Sequence, residues 1–79
     1  IDEVENALLR EKLYKVVRAA LDAREYEIIK LRYGLEGVPA QTQLRVAEKF
    51  DISRSYISRI EKRAIEKLRK YIRQNSLDF

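Results

Sequence analysis

Cysteine, histidine and tryptophan are absent from the 79-residue chain. Without cysteine and histidine there can be no disulfide, no zinc finger and none of the usual nucleophile–base pairs. Carboxylates and lysines would have to carry any remaining chemistry, and their spacing gathers none of them for it. Long apolar runs are also missing: none approaches the roughly 20 residues of a membrane span, and no signal peptide opens the chain. Glycine and proline number only 2 and 1, so the turns they mark stand out. A chain this short is one domain, residues 1–79, burying only roughly 60% of its unfolded surface and leaving no room for a large active-site cavity. We therefore expect a non-enzymatic protein without cofactor or metal, in a soluble, reduced, cytoplasmic setting. The abrupt start at Ile1 suggests a fragment of something longer.

The net charge of +4 is unevenly placed. Up to Ile52 there are 9 Lys and Arg against 10 Asp and Glu, and from Ser53 onward 8 against 3. A near-neutral body with a basic C-terminal third is the footprint of one element facing a polyanion. A well-solvated basic helix would give the same count.

Hydrophobic periodicity predicts four helices. The first runs from about Asp2 to Ala20, with Val4, Leu8, Leu9, Leu13, Val16, Val17 and Ala20 as its stripe and Glu11–Lys15 as a surface pair. Asp2, Glu3 and Glu5 suit its N-terminus. Asp22 caps the second, with Glu25 completing a capping box; Ile28, Ile29, Leu31 and Leu35 supply apolar contacts, and Gly34 is its stop. Residues 36–40, holding the one proline, form a loop. Thr42 caps a third helix to about Phe50, and Ser53 caps a fourth reaching about Ile72. That last helix carries the stripe Ile57, Ile60, Ala64, Leu68 and Tyr71 or Ile72. Residues 74–79 read as a frayed tail.

The stretch from Gln43 to Ile60, QLRVAEKFDISRSYISRI, has the pattern of two helices crossing over a short turn. Ala47 supplies the small residue at the close approach. Val46, Phe50, Ile52, Ile57 and Ile60 fall where the wedge between the helices must be. The turn usually takes Gly; here it is Asp51, which tolerates the left-handed region better than most residues. On a wheel of about 100° per residue, the face opposite the buried stripe carries Ser55, Arg59 and Lys62, flanked by Tyr56, Ser58 and Arg63. Arg54 lies near the end where a recognition helix meets base edges. Arginine reads guanine through paired hydrogen bonds, and serine or tyrosine hydroxyls reach phosphates or bases. The alternatives are a solvated surface for Arg54 and Arg59, and partial core for Tyr56. Glu61, nearer the buried side, is expected to partner a neighbouring arginine. The fold class expected is a small all-α, homeodomain-like domain of about four helices with a helix-turn-helix and no wing.

The segments AREYEIIKLRYGL (Ala23–Leu35) and Thr42–Lys70 resemble region 4 of bacterial sigma factors. SRSYISRIEKRA (Ser53–Ala64) is especially similar to the sporulation-type alternative sigma factors. The likeness covers roughly Ala20 to Tyr71, and the first helix shares only general character. It implies recognition of the upstream (−35) promoter element in the major groove of double-stranded DNA, with the domain docked on the β flap of RNA polymerase core. It assigns base contacts to Arg54, Ser55, Tyr56, Ser58 and Arg59. Phosphate contacts fall on Arg24, Thr42 and Leu44, joined by Ser53 at the cap and, from the wheel, by Lys62 and Arg63. Primary sigma factors often carry Arg-Glu-Arg where this chain has Arg54-Ser55-Tyr56, which implies a different promoter set. Two other readings remain: a free-standing regulator's helix-turn-helix, and an interaction module bound by an anti-sigma factor or other transcription regulator. No membrane partner is expected.

Overall fold

In the computed structural model, residues 3–76 are described, with side chains from Arg10 onward. Four α-helices follow in order: α1 Glu3–Ala20, α2 Ala23–Tyr33, α3 Gln43–Phe50 and α4 Arg54–Gln74. A single 3-10 turn, Leu35–Gly37, lies in the stretch read from sequence as a plain loop. The described residues contain no strand, and no helix among them is long and apolar enough to cross a membrane.

The helix boundaries follow from local chemistry. Asp22 accepts a 2.8 Å hydrogen bond from the Glu25 amide, and Glu25 Oε1 accepts one of 3.0 Å from the Asp22 amide, closing the capping box. Gly34 ends α2 at φ 68°, its N–H donating to the Lys30 carbonyl. A Cβ there would lie 2.9 Å from the Val38 carbonyl oxygen, so both the conformation and the space require glycine. Thr42 and Ser53 each accept a 3.1 Å bond from an amide three residues on, at Arg45 and Tyr56. Asp51 takes the left-handed conformation at φ 55°. Its amide donates to the Glu48 carbonyl at 3.2 Å and that of Ile52 to the Ala47 carbonyl at 3.0 Å, the paired bonds of a Schellman ending. The turn that usually takes glycine is thus made by aspartate.

Two apolar clusters hold the helices. Ile28 and Leu31 of α2 meet Val46 and Ala47 of α3 and Ile57 and Ile60 of α4, with Val38, Phe50 and Ile52 packed around them. Ala47, 2% exposed, is the smallest side chain of this cluster. Val17 and Leu21 meet Ile29 and Ala64 in the second cluster, joined by Ala20, Tyr26, Leu35 and Leu68. Burying a side chain as fully as Ile28 or Ile57 contributes about 1.5–3 kcal/mol. α4 spans both clusters, so one helix carries the core on its inner face along most of its length.

The α1 stripe needs correction at one residue. Val16 and Val17 are buried as expected, but Leu13 is 39% exposed, because the second cluster takes its α1 residues from Val17 onward. Val4, Leu8 and Leu9 lie outside the described side chains, as do Asp2 and residues 77–79. α4 continues two residues past Ile72 to Gln74, and the Asn75 side chain donates to the Tyr71 carbonyl at 2.9 Å. Arg18 of α1 pairs with Glu36, whose amide donates to the Tyr14 hydroxyl at 3.2 Å, clasping α1 to the 3-10 turn.

Candidate nucleic-acid interface

With Ile57, Ile60 and Ala64 committed to the core, the remaining faces of α4 turn outward. Arg54, Ser55, Tyr56, Ser58, Arg59, Lys62 and Arg63 are all exposed. Arg54, Ser55, Ser58 and Arg59 line one concavity together with Gln43, the first residue of α3. A neighbouring concavity joins Arg54 to Thr42, Leu44 and Arg32. A third continues along α4 through Ser58, Lys62 and Arg69, and Glu61 and Glu66 also line it. All three share Gln43. The result is a strip along the seam where the start of α3 meets the outward face of α4.

The strip gathers Thr42, Leu44, Arg54, Ser55, Ser58, Arg59 and Lys62 as the sequence suggested. Tyr56 and Arg63 are exposed but line none of the three concavities. Ser53 is engaged as a cap through its hydroxyl oxygen, which leaves the hydroxyl proton free to donate. The first amides of α3, at Gln43 and Leu44, have no carbonyl partner inside the helix and carry the positive end of its dipole. Leu44 itself is 57% exposed, an apolar side chain held outward beside those amides. Arg24, distant in sequence, joins the strip through Tyr56: its guanidinium carbon lies 5.2 Å from the ring centroid, and that of Arg59 lies 5.9 Å from it.

Beneath the strip, Glu61 fixes how α2, α3 and α4 meet. The residue is 6% exposed. Its carboxylate accepts bonds from Arg32 Nε at 3.1 Å, the Tyr33 hydroxyl at 2.8 Å and Gln43 Nε2 at 2.8 Å. Arg32 also donates to the Gln41 carbonyl at 2.8 Å, securing the segment that leads into α3. Burial alone would push the Glu61 carboxyl up; the bonds from Gln43, Tyr33 and Arg32 together outweigh it and hold the group below its ordinary range. The bond to Glu61 in turn raises the Tyr33 phenol, so it stays neutral. Glu61 is therefore an ionised carboxylate whose charge is answered within the domain, and it adds little repulsion toward an anion on the strip.

The sequence placed Glu61 beside an arginine but missed Tyr33 and Gln43. Gln43 stands one residue after a cap and reads as an ordinary helix-start residue. Only its position on α3 facing Glu61 shows that it links the core-side network to the strip. Glu25 has a second role of the same kind. Besides its capping bond it accepts from Lys67 of α4 at 2.8 Å, which ties the start of α2 to α4.

The chain resembles several curated proteins across most of its length. It is 50% identical over 70 residues to the RNA polymerase sigma-E factor of Clostridium acetobutylicum, covering 89% of this chain and 28% of that protein. With the RNA polymerase sigma-K factor of Bacillus subtilis the identity is 43% over 68 residues, 86% of this chain and 23% of the relative. With the RNA polymerase sigma factor SigA of a Nostoc species it is 40% over 68 residues, 86% of this chain and 17% of the relative. The chain thus spans less than a third of the length of these relatives. No solved structure gives a match. The family described as sigma-70, region 4 matches residues 19–70, from the last turn of α1 to near the end of α4, and contains the whole strip. The chain belongs to the sigma-70 region 4 family.

Proposed function

We propose that this domain reads the −35 promoter element in the major groove, as the region 4 module of a sporulation-type sigma factor. The observation that carries the reading is the strip itself. Arg54, Ser55, Ser58 and Arg59 share one outward concavity, while α3 presents Thr42 and two free amides beside it. α4 enters the groove, and Arg54, Ser55, Tyr56, Ser58 and Arg59 face base edges. Arg24, Thr42, Leu44 through its amide, Ser53, Lys62 and Arg63 hold the phosphates and set the register. Leu44 places its exposed side chain against sugar or a thymine methyl. The domain carries out no catalytic step. In the cytoplasm, associated with the nucleoid, it docks on the β flap of RNA polymerase core, and an anti-sigma factor or transcription regulator is its candidate controller. The residues 1–79 act as one recognition unit.

The test is a salt titration of binding to a duplex carrying a −35-like element, with a scrambled duplex alongside, in the presence and absence of polymerase core. Sequence-dependent affinity that falls steeply with salt is expected. Equal affinity for the two duplexes under both conditions would sink the reading and favour a protein-docking role.

A further inference from the structure

The Tyr56 side chain is 37% exposed, too open for a core residue, yet its backbone is fixed by the Ser53 cap at 3.1 Å. Its ring has a guanidinium from each of two helices over it: Arg24 from α2 and Arg59 from α4. Both cations have reason to need such a neighbour. Arg24 sits in the first turn of α2, where the helix dipole disfavours positive charge. Among the described residues neither arginine has a carboxylate within ion-pair distance. The two would also repel each other, and the electron-rich face of the ring is the group on hand that attracts both. The contact between Arg24 and Tyr56 crosses between helices, so it restrains a long side chain that would otherwise sweep freely.

We propose that Tyr56 is a positioning residue that holds Arg24 and Arg59 as one unit, so that a phosphate grip and a base contact are made together. The proposal rests on the promoter-reading assignment above and adds to it a specificity role for an aromatic ring. In this role the ring acts through the arginines, and the hydroxyl is left to the base contact assigned above. A single cation–ring contact at an exposed site corresponds to about a two- to fivefold change in an equilibrium constant. Two such contacts set a ceiling of roughly four- to twenty-fivefold on the loss of specific affinity when the ring is removed.

The experiment compares the wild-type chain with Tyr56→Phe and Tyr56→Leu, with circular dichroism to confirm equal helix content. Binding is measured on −35-like and scrambled duplexes across a salt series, alone and with polymerase core. Arg24→Ala and Arg59→Ala are added singly and together in the wild-type and Leu backgrounds. Upfield ring-current shifts of the Arg24 and Arg59 side-chain protons are recorded without DNA. Phe, which keeps the ring, is expected to retain the ring-current shifts and the coupling between Arg24 and Arg59. Leu is expected to lose the ring-current shifts, to bind more weakly by up to the factor above, and to flatten the salt slope by up to about 0.9, one phosphate's worth. The losses from the two alanine changes are non-additive with Tyr56 and additive with Leu. A Leu variant that binds, titrates and couples as wild type does overturns the proposal, and so does a Phe variant that loses the ring-current shifts and the coupling as Leu does. A wild-type chain that fails to discriminate the duplexes overturns the promoter reading and this proposal with it, an outcome distinguished by needing no variant.

Discussion

Removing the Glu61 carboxylate should loosen the joint between α4 and the two helices it rests on. The side chain takes three donated bonds, from Arg32, Tyr33 and Gln43. Bonds to a charged acceptor contribute about 1.5–3 kcal/mol each, which sets a ceiling that their sum does not reach. Tyr33 is 51% exposed and finds water when released, and Arg32 keeps the Gln41 carbonyl. The carboxylate has also lost its own hydration at 6% exposure. Glu61→Ala is therefore expected to cost about 2–4 kcal/mol, lowering Tm by roughly 10–25 °C for a domain of this size. Glu61→Gln keeps the shape but turns an amide N–H₂ toward donors, and should cost about 1–2 kcal/mol. Because the folded pKa is lowered, the carboxylate's stabilisation is fully present above the unfolded pKa and is lost as pH falls through the folded one. The difference in Tm between wild type and Glu61→Gln should accordingly shrink on acidification. Thermal melts followed by circular dichroism from neutral pH into the acid range measure both effects. An alanine variant that melts within a degree or two of wild type, or a difference that does not change with pH, would refute the account of Glu61 as the charged joint.

Gly34→Ala combines a left-handed backbone with a Cβ 2.9 Å from the Val38 carbonyl oxygen, and should cost more than about 2 kcal/mol in a chemical denaturation curve. Asp51→Gly relieves the left-handed strain at φ 55° and should leave stability unchanged or raise it by up to about 1 kcal/mol; a clear loss would mean the aspartate side chain contributes more than its conformation. On promoter DNA, Arg59→Ala should cost about 1–3 kcal/mol and relax one base position. Lys62→Ala should weaken all sequences alike and lower the salt slope by about 0.9, so a competition assay over a base-substituted duplex series separates the two roles.

Much of this architecture could be read from residue types at fixed spacing. Asp22 with Glu25, Thr42 and Ser53 state where helices begin, and Gly34 states where one ends, because those signals act within a few residues. The crossing of α3 and α4 was legible from Ala47 and the wedge around Ile57, as was the outward face of α4. What was illegible depends on which helix faces which. Glu61 is 29 residues from Arg32 in the chain, and its Tyr33 and Gln43 bonds are equally non-local. Nothing in the first helix's repeat says that Leu13 falls beyond the reach of the second cluster. Arg24 and Tyr56 lie 32 residues apart, and only the packing of α2 on α4 brings guanidinium and ring together. Family resemblance named both residues as DNA contacts without showing that they touch.

The two short helices that frame the strip have a consequence for how the domain meets a ligand. α2 has 11 residues and α3 has 8, both below the roughly 12–15 at which an isolated helix is even marginally stable in water. Neither exists without α4 beneath it, and Glu25 and Glu61 each weld one end of that arrangement through Lys67, Arg32 and Gln43. A partly melted domain therefore has no half-formed reading surface, and folding and recognition share a single transition. Any polyanion that prefers the strip then acts as a folding ligand, raising the melting temperature in proportion to the logarithm of its concentration over its dissociation constant once it is in excess.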